Sequence, residues 1–396
     1  MKTKQIIYMA LIFIFSINLL SAQESNVKNP DNEAIANKLV NTILKIKPAD
    51  VVIISGNKDQ IDLLSSVYVA VRKAGGHVTV ELNLPKAGKR AIMETPIEFM
   101  KTTNSYIIFK NRMVDCFISI GSVEYPELYA DVPEERLAAN REAYVLYNKL
   151  NRNFHYRSVS VGQSSGVPTN SFAKSVNADY DEMVSGFWKA VNTDYDKMTK
   201  NGKSISDILK PGSNCKISSK SGTNITFKID KIPVRTNCGS MSENQISSGP
   251  SSVWLPAGEV YTCIVPKSAN GKIVVPAMFF RGVKIKNLEI SVKNGHIMEL
   301  KAEENEKIIK DYQKMSIGDK DVLSLIDIGI NENSKPYKGS DFYSWEMSGL
   351  LTMGFGNNAW AGGDNNSNTG TYIHLSNSTL DIDGKAVVKD GKLMLD

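Results

Sequence analysis

Four side chains stand out for the chemistry their types and settings allow. In WLPAGEVYT, Trp254 to Thr262, Glu259 follows Pro256 and Gly258 and precedes an apolar, strand-like run. Proline fixes φ and glycine opens backbone conformations closed to other residues, so this carboxylate is presented at a defined place. That suits a metal ligand better than a solvated surface glutamate. Asp327 follows the apolar run VLSLI, and a carboxylate buried there needs a cation or good hydrogen bonds to stay charged. His374, inside the β-type run TYIHL, reads on its own as a satisfied structural histidine. Glu346 reads as exposed, and Asp364, after Ala361-Gly362-Gly363, as a loop-capping carboxylate. His77, His155 and His296 are assigned no chemistry.

Other catalytic schemes lack support. There is no Gly-x-Ser-x-Gly elbow, no His-Glu-x-x-His helix, and no cysteine in a protease signature beside a matching histidine. The four cysteines, Cys116, Cys215, Cys238 and Cys263, include no CxxC pair, which argues against a structural zinc site. In an exported chain Cys215 and Cys238 can close a disulfide across the hairpin-like segment between them, or stay free as buried thiols.

The elements that must position these residues follow from length and pattern. With 396 residues, 42% of them hydrophobic and 22% charged, the chain can bury a large core and divides into two domains. The net charge of +5 is modest and its lysines are dispersed, so no nucleic-acid footprint is implied. Residues 1–22 read as an export signal: Lys2 and Lys4, the apolar IIYMALIFIFSINLL, then Ser21-Ala22. The apolar run of about 15 residues is short of the roughly 20 that span a bilayer. Cleavage after Ala22 is expected, with no membrane association afterwards. Without a lipobox cysteine, the expected destination is periplasmic or secreted.

Residues 30–205 read as an α/β domain. Asn32 to Ile46 has helical spacing, VVIIS after Asp50 is a buried strand, Gln60 to Lys73 a helix, His77 to Leu82 a second strand and Val114 to Ser122 a third. The first strand, helix and second strand form a unit of the kind that builds a parallel sheet. Its first turn, Ser55-Gly56-Asn57-Lys58, lacks the three-glycine phosphate loop, which argues against a dinucleotide. Pro126 to Asn151 and Asp179 to Thr199 read as helical. From Ser213 the pattern changes to short β-type runs with turn signals, among them Asn270-Gly271, Asp383-Gly384 and Asp390-Gly391, with one amphipathic helix at Glu303 to Met315. Residues 213–396 therefore read as a β-rich α+β domain.

The order GTNITFKI, LPAGEVYT, ANGKIVV, LIDIGINEN, GFGNNAWAGGDNNS, IHLSN and DIDGKAVVKDGK resembles the M29 family of metallopeptidases, the aminopeptidase T and aminopeptidase S type. The first domain, through ADVVIISGNKDQIDLLSSVYVAVRKAGGHVTVEL, is compatible with that family's amino-terminal α/β start. The resemblance implies metal-dependent release of amino-terminal residues from peptides. In that chemistry two divalent ions, zinc, cobalt or manganese, share a water whose lowered pKa yields a nucleophile at neutral pH. It also implies a homodimer.

Carried over position by position, the ligand set is eroded. Glu259 and His374 match family ligands. Asp327 stands for a glutamate and is one methylene shorter. Thr352 stands for a histidine, Met347 for a glutamate with Glu346 one residue away, and Ser376 for an aspartate. The expected metal set is Glu259, Asp327 and His374, with Glu346 as a replacement, and two ions, one ion or none stay open. The alternatives are a catalytically inactive relative that binds a peptide end or small molecule, and a mononuclear-metal enzyme on the same fold.

Overall fold

Apolar runs bounded by turn residues assemble here into three sheets. The computed structural model describes residues 31–395 apart from 145, 148–149, 151–153, 163–165 and 248–250, so the expected export signal lies outside the described residues. No helix among the described residues is long and apolar enough to cross a membrane.

The first sheet is built from β1 (Val51–Asn57), β2 (His77–Asn83), β3 (Cys116–Ile120) and β4 (Arg157–Val161). All its pairings are parallel, in the order β2-β1-β3-β4. The helix Ile61–Lys73 connects β1 to β2 and buries Leu63, Leu64, Val67, Ala70 and Val71, one stripe at helical period. The helix expected from Asn32 runs over Asn32–Asn37 and continues as a π-helical turn over Lys38–Ile43. Two helices, Tyr180–Val191 and Tyr195–Ile208, replace the single one expected from Asp179, the second being capped by Asp194 through its bonds to the amides of Asp196 and Lys197.

The second half supplies β5 (Asn214–Ser219), β6 (Asn224–Lys228), β7 (Arg235–Asn237), β8 (Ser251–Leu255), β9 (Glu259–Cys263), β10 (Asn270–Phe280), β11 (Val283–Lys293), β12 (His296–Lys301), β13 (Leu323–Gly329), β14 (Leu351–Gly356), β15 (Gly370–Leu375), β16 (Ser378–Ile382), β17 (Lys385–Lys389) and β18 (Lys392–Leu393). An antiparallel sheet runs β12-β11-β10-β6-β5-β16-β17-β18, and a third sheet β15-β14-β13-β9-β7. Asn270-Gly271 opens β10 instead of turning the chain, and the hairpin to β11 turns at Arg281-Gly282. Asp383-Gly384 and Asp390-Gly391 do form the closing turns. The expected α/β plus β-rich architecture is the one observed, with one crossing: β8 pairs in parallel with β4 and completes the first sheet.

Of the two alternatives for Cys215 and Cys238, the structure has the free thiols. All four cysteines are free and buried. The hairpin is β5–β6, so Cys215 faces Phe227 across it, while Cys238 follows β7 in the third sheet and points at the Met198 carbonyl. Burial raises both thiols, Cys215 to about 12 and Cys238 to about 11, which keeps them protonated.

Because β8 ends at Leu255 and β9 starts at Glu259, only Pro256, Ala257 and Gly258 carry the chain from the first sheet to the third. Gly258 has φ 134° and lies against Asn331, where an added Cβ would sit 2.6 Å from the Asn331 Cβ and 2.8 Å from its amide nitrogen. Asn331 is fully buried and its amide donates to the carbonyls of Ala257 (2.6 Å) and Ala190 (3.0 Å), clamping the crossing to the helical layer. Gly258→Ala is therefore expected to lower unfolding free energy by about 3 kcal/mol, the sum of a left-handed backbone and a clash with main chain. Chemical unfolding of the variant checks this, and an unchanged midpoint would refute the clamp.

Candidate functional site

The crossing delivers Glu259 to the first position of β9, and strand register places the rest. Across the third sheet one cross-strand row reads Arg235, Tyr261, Asp327, Thr352, His374. Directly opposed residues share a face, and Glu259, two residues before Tyr261, shares it too. The alternate residues Val260, Ile326, Ile328, Met353 and Ile373 point to the other face and enter the main core. Three of the four sequence candidates, Glu259, Asp327 and His374, thus stand on one face by simple alternation.

Glu346 joins them by a different route. Its segment, Trp345 to Met347, passes over the end of β13, so closely that a Cβ on Gly329 would meet the Met347 carbonyl at 2.1 Å and the Trp345 carbonyl at 2.6 Å. The Glu346 carbonyl accepts from the Asn331 amide at 2.8 Å, which fixes the segment. Glu346 is therefore buried, at 3% exposure, and not the exposed residue expected. Asp364 is exposed and stays apart from the cluster; the capping in its loop is done by Asn358, whose side-chain oxygen accepts from the Asn365 amide at 3.0 Å.

Half of these donor atoms are already occupied by protein partners. Glu259 Oε2 accepts from Asn237 Nδ2 at 2.9 Å and from Trp254 Nε1. Glu346 accepts one hydroxyl on each oxygen, from Ser334 at 2.9 Å and from Ser344 at 2.7 Å. His374 Nδ1 is bonded to the Thr352 hydroxyl at 2.8 Å, inside the cross-strand row. Asp327, 1% exposed, is the exception: neither of its oxygens has a partner. Burial pushes the Asp327 carboxyl well above the usual range, and the charges of Glu259 and Glu346 push it further. Glu259 is raised to about 8 by burial, against the bond from Asn237, and Glu346 is raised by burial against the bond from Ser344. Desolvation pulls His374 down to about 4, so its imidazole is neutral.

Above the carboxylates lies a layer the sequence reading missed. Three of the chain's four tryptophans meet here with two tyrosines. Ring centroids are 4.9 Å apart for Tyr261 and Trp360, 4.7 Å for Trp345 and Tyr372, and 5.5 Å for Trp345 and His374. Trp360 Nε1 donates to the Tyr372 hydroxyl at 3.0 Å. Trp254, Trp345 and Tyr372 are half-buried and Trp360 is 36% exposed, so the rings form a lid with its outer side in water. Alternation from Glu259 and His374 points to Tyr261 and Tyr372; Trp345 and Trp360 lie outside strands, where alternation says nothing.

The donor set does not fit a two-metal centre. Among the described residues no three His, Cys, Asp or Glu side chains are grouped so as to hold a metal ion. Thr352 occupies the row position between Asp327 and His374, and Met347 and Ser376 add no carboxylate. Asp327 offers two buried oxygens free of protein partners, whereas a zinc site takes about four ligands.

No curated protein matches the sequence. Among solved structures, the chain is similar to wild-type AmpT from Thermus thermophilus, with a TM-score of 0.70 at 13% identity over 92% of this chain and 99% of that one. It is also similar to 2,5-dihydroxypyridine dioxygenase from Pseudomonas putida KT2440, with a TM-score of 0.59 at 14% identity over 93% and 99%. At such identities the likeness is one of fold. The profile described as Thermophilic metalloprotease (M29) matches residues 29–322, a span that includes Glu259 and stops short of Asp327, Glu346 and His374. The chain belongs to the M29 family of metalloproteases.

Proposed function

We propose that this chain is an M29 protein that has lost two-metal hydrolysis and binds the amino end of a peptide, or another small organic amine, at the old site. The observation that carries this reading is Asp327: a buried carboxylate with two unpartnered oxygens, beside two further buried carboxylates and beneath a layer of aromatic rings. An ammonium group supplies positive charge and three N–H donors, and it is attracted by aromatic faces. A metal ion would instead need the ligands that Thr352, Met347 and Ser376 no longer provide. Because the carboxylates are sealed, binding on this reading requires the Trp345 and Trp360 rings to move aside.

The same free oxygens favour a second reading, in which one divalent ion, zinc, cobalt or manganese, binds Asp327 and metal-dependent aminopeptidase activity is retained. In that case Glu259 and Glu346 exchange their present partners for the ion. Whatever its chemistry, the leader-like run at residues 1–22 supports export to the periplasm or beyond, and family membership supports a homodimer.

Three measurements separate the readings. On the binding reading, the mature chain holds no stoichiometric metal after incubation with zinc, cobalt and manganese, releases no amino acid from aminoacyl substrates, and binds a free tripeptide but not its N-acetylated form in calorimetry. Restoring ligands with Thr352→His and Ser376→Asp together is expected to raise zinc retention. Stoichiometric metal in the natural chain, with hydrolysis abolished by Glu259→Ala, would overturn the binding reading in favour of the hydrolase.

The second prediction concerns pH. Glu259 has a folded pKa of about 8 against an ordinary 4.5, so the folded state holds protons that the unfolded chain has released. Stability is then unaffected by this group below about pH 4.5, falls as pH rises, and reaches its full penalty above about pH 8. Asp327 is shifted in the same direction. Asp327→Asn is expected to flatten this decline and to raise the melting temperature at pH 8 to 9. Equal slopes for the two proteins would show that the carboxylates are ionised or paired in solution.

A further inference from the structure

The first sheet has an opening of its own, on different residues. Its strand order is β2-β1-β3-β4-β8, so the chain leaves β1 toward β2 on one side and returns to β3 on the other. Where connections diverge in this way, the carboxyl ends of the strands leave a crevice, and open parallel sheets bind ligands there. Here it is a cleft of about 580 Å³, within the range of small-molecule sites, at the ends of β1, β2 and β3.

A chain of hydrogen bonds between uncharged groups forms its floor and ends on one carboxylate. Exposed Asn83 donates to the Asn57 carbonyl oxygen at 3.1 Å. Buried Asn57 donates to the Ser122 backbone carbonyl (3.0 Å) and hydroxyl (2.9 Å), and Ser122 donates to Asp59 at 2.9 Å. The walls carry Tyr125, Tyr129 and Leu84, the last two exposed. No arginine or histidine lines the cleft, the Lys86 ammonium lies over the Tyr125 ring, 4.4 Å from its centroid, and the one carboxylate in the lining, Glu124, is engaged by the Tyr125 hydroxyl at 2.6 Å and by Lys58 at 3.2 Å. Both lysines are already engaged, Lys86 by the ring and Lys58 by Glu124, which disfavours a phosphate or other anion, in agreement with the missing glycine-rich turn after β1.

We propose that this cleft is a second ligand site, for a neutral polyhydroxylated ring: a saccharide unit. Amides, hydroxyls and a neutralised carboxylate exchange hydrogen bonds with ring hydroxyls as both donors and acceptors. The exposed Tyr129 ring offers a flat apolar platform for the C–H face of a sugar. The site shares no residue with the Glu259 cluster and is independent of what that cluster binds.

Saturation-transfer NMR on the mature chain tests this with glucose, galactose, N-acetylglucosamine, cellobiose, maltose and diacetylchitobiose, and with adenosine and inorganic phosphate as rivals. At least one saccharide is expected to bind saturably. Tyr129→Ala, at an exposed position and so compatible with an unchanged melting temperature, and Asn83→Ala, which removes an amide from the cleft, are each expected to weaken it about tenfold, the size of one aromatic contact or one hydrogen bond. Trp360→Ala, in the other site, is expected to leave it unchanged. Absence of saturable binding by every saccharide, tighter binding of adenosine or phosphate, or affinity indifferent to Tyr129 and Asn83 would each overturn the proposal.

Discussion

Three residues between two sheets constrain the rest of this protein. Pro256, Ala257 and Gly258 must carry the chain from the last strand of the parallel sheet to a central strand of the antiparallel one, and no slack remains. Trp254 is thereby held within hydrogen-bonding reach of Glu259, only five residues on. Asn331 closes the crossing by accepting a buried position whose amide must find carbonyls, and it finds those of Ala257 and Ala190. Because Asn331 lies two residues beyond β13, the same clamp sets where β13 stands against β9, and so which residue faces Tyr261. The placement of Asp327 follows from it.

The site that results is a compromise between charge and burial. Three carboxylates share one apolar setting, and two are satisfied by short side chains: Asn237 for Glu259, Ser334 and Ser344 for Glu346. A neutral acid costs far less in such a setting than an ion, which is why all three are pushed toward the protonated form. The family's metal ligands would relieve the same tension with cations. This chain relieves part of it with indole and hydroxyl donors and leaves Asp327 unrelieved.

Much of the architecture was legible because strands and helices differ in period. The helix after β1 and the buried strands of the first half follow from spacing, whereas Glu259, Asp327 and His374 share one face through the register of β9, β13, β14 and β15. What escaped lies where no period applies. Glu346 sits in an irregular segment, and its inward direction is decided by the close passage over Gly329, a tertiary fact. Trp345 and Trp360 come from connections for the same reason. The second half's return to the first sheet through β8 was invisible because SSVWL carries no sign of its neighbour, and Cys215 and Cys238 were separated by sheets that sequence distance does not reveal.

The concentration of indoles gives the molecule an optical property. Trp254, Trp345 and Trp360 lie in one cluster, and only Trp188 stands elsewhere, in the helix Tyr180–Val191. Three of the four indoles therefore stand around the site, and one of them, Trp254, is hydrogen-bonded to the Glu259 carboxylate. Rings packed this closely exchange excitation and respond to the charge beside them, so ionisation, a bound cation or displacement of the lid changes the colour and intensity of the emitted light. The protein carries its own dye, and the dye is built into the wall of the site.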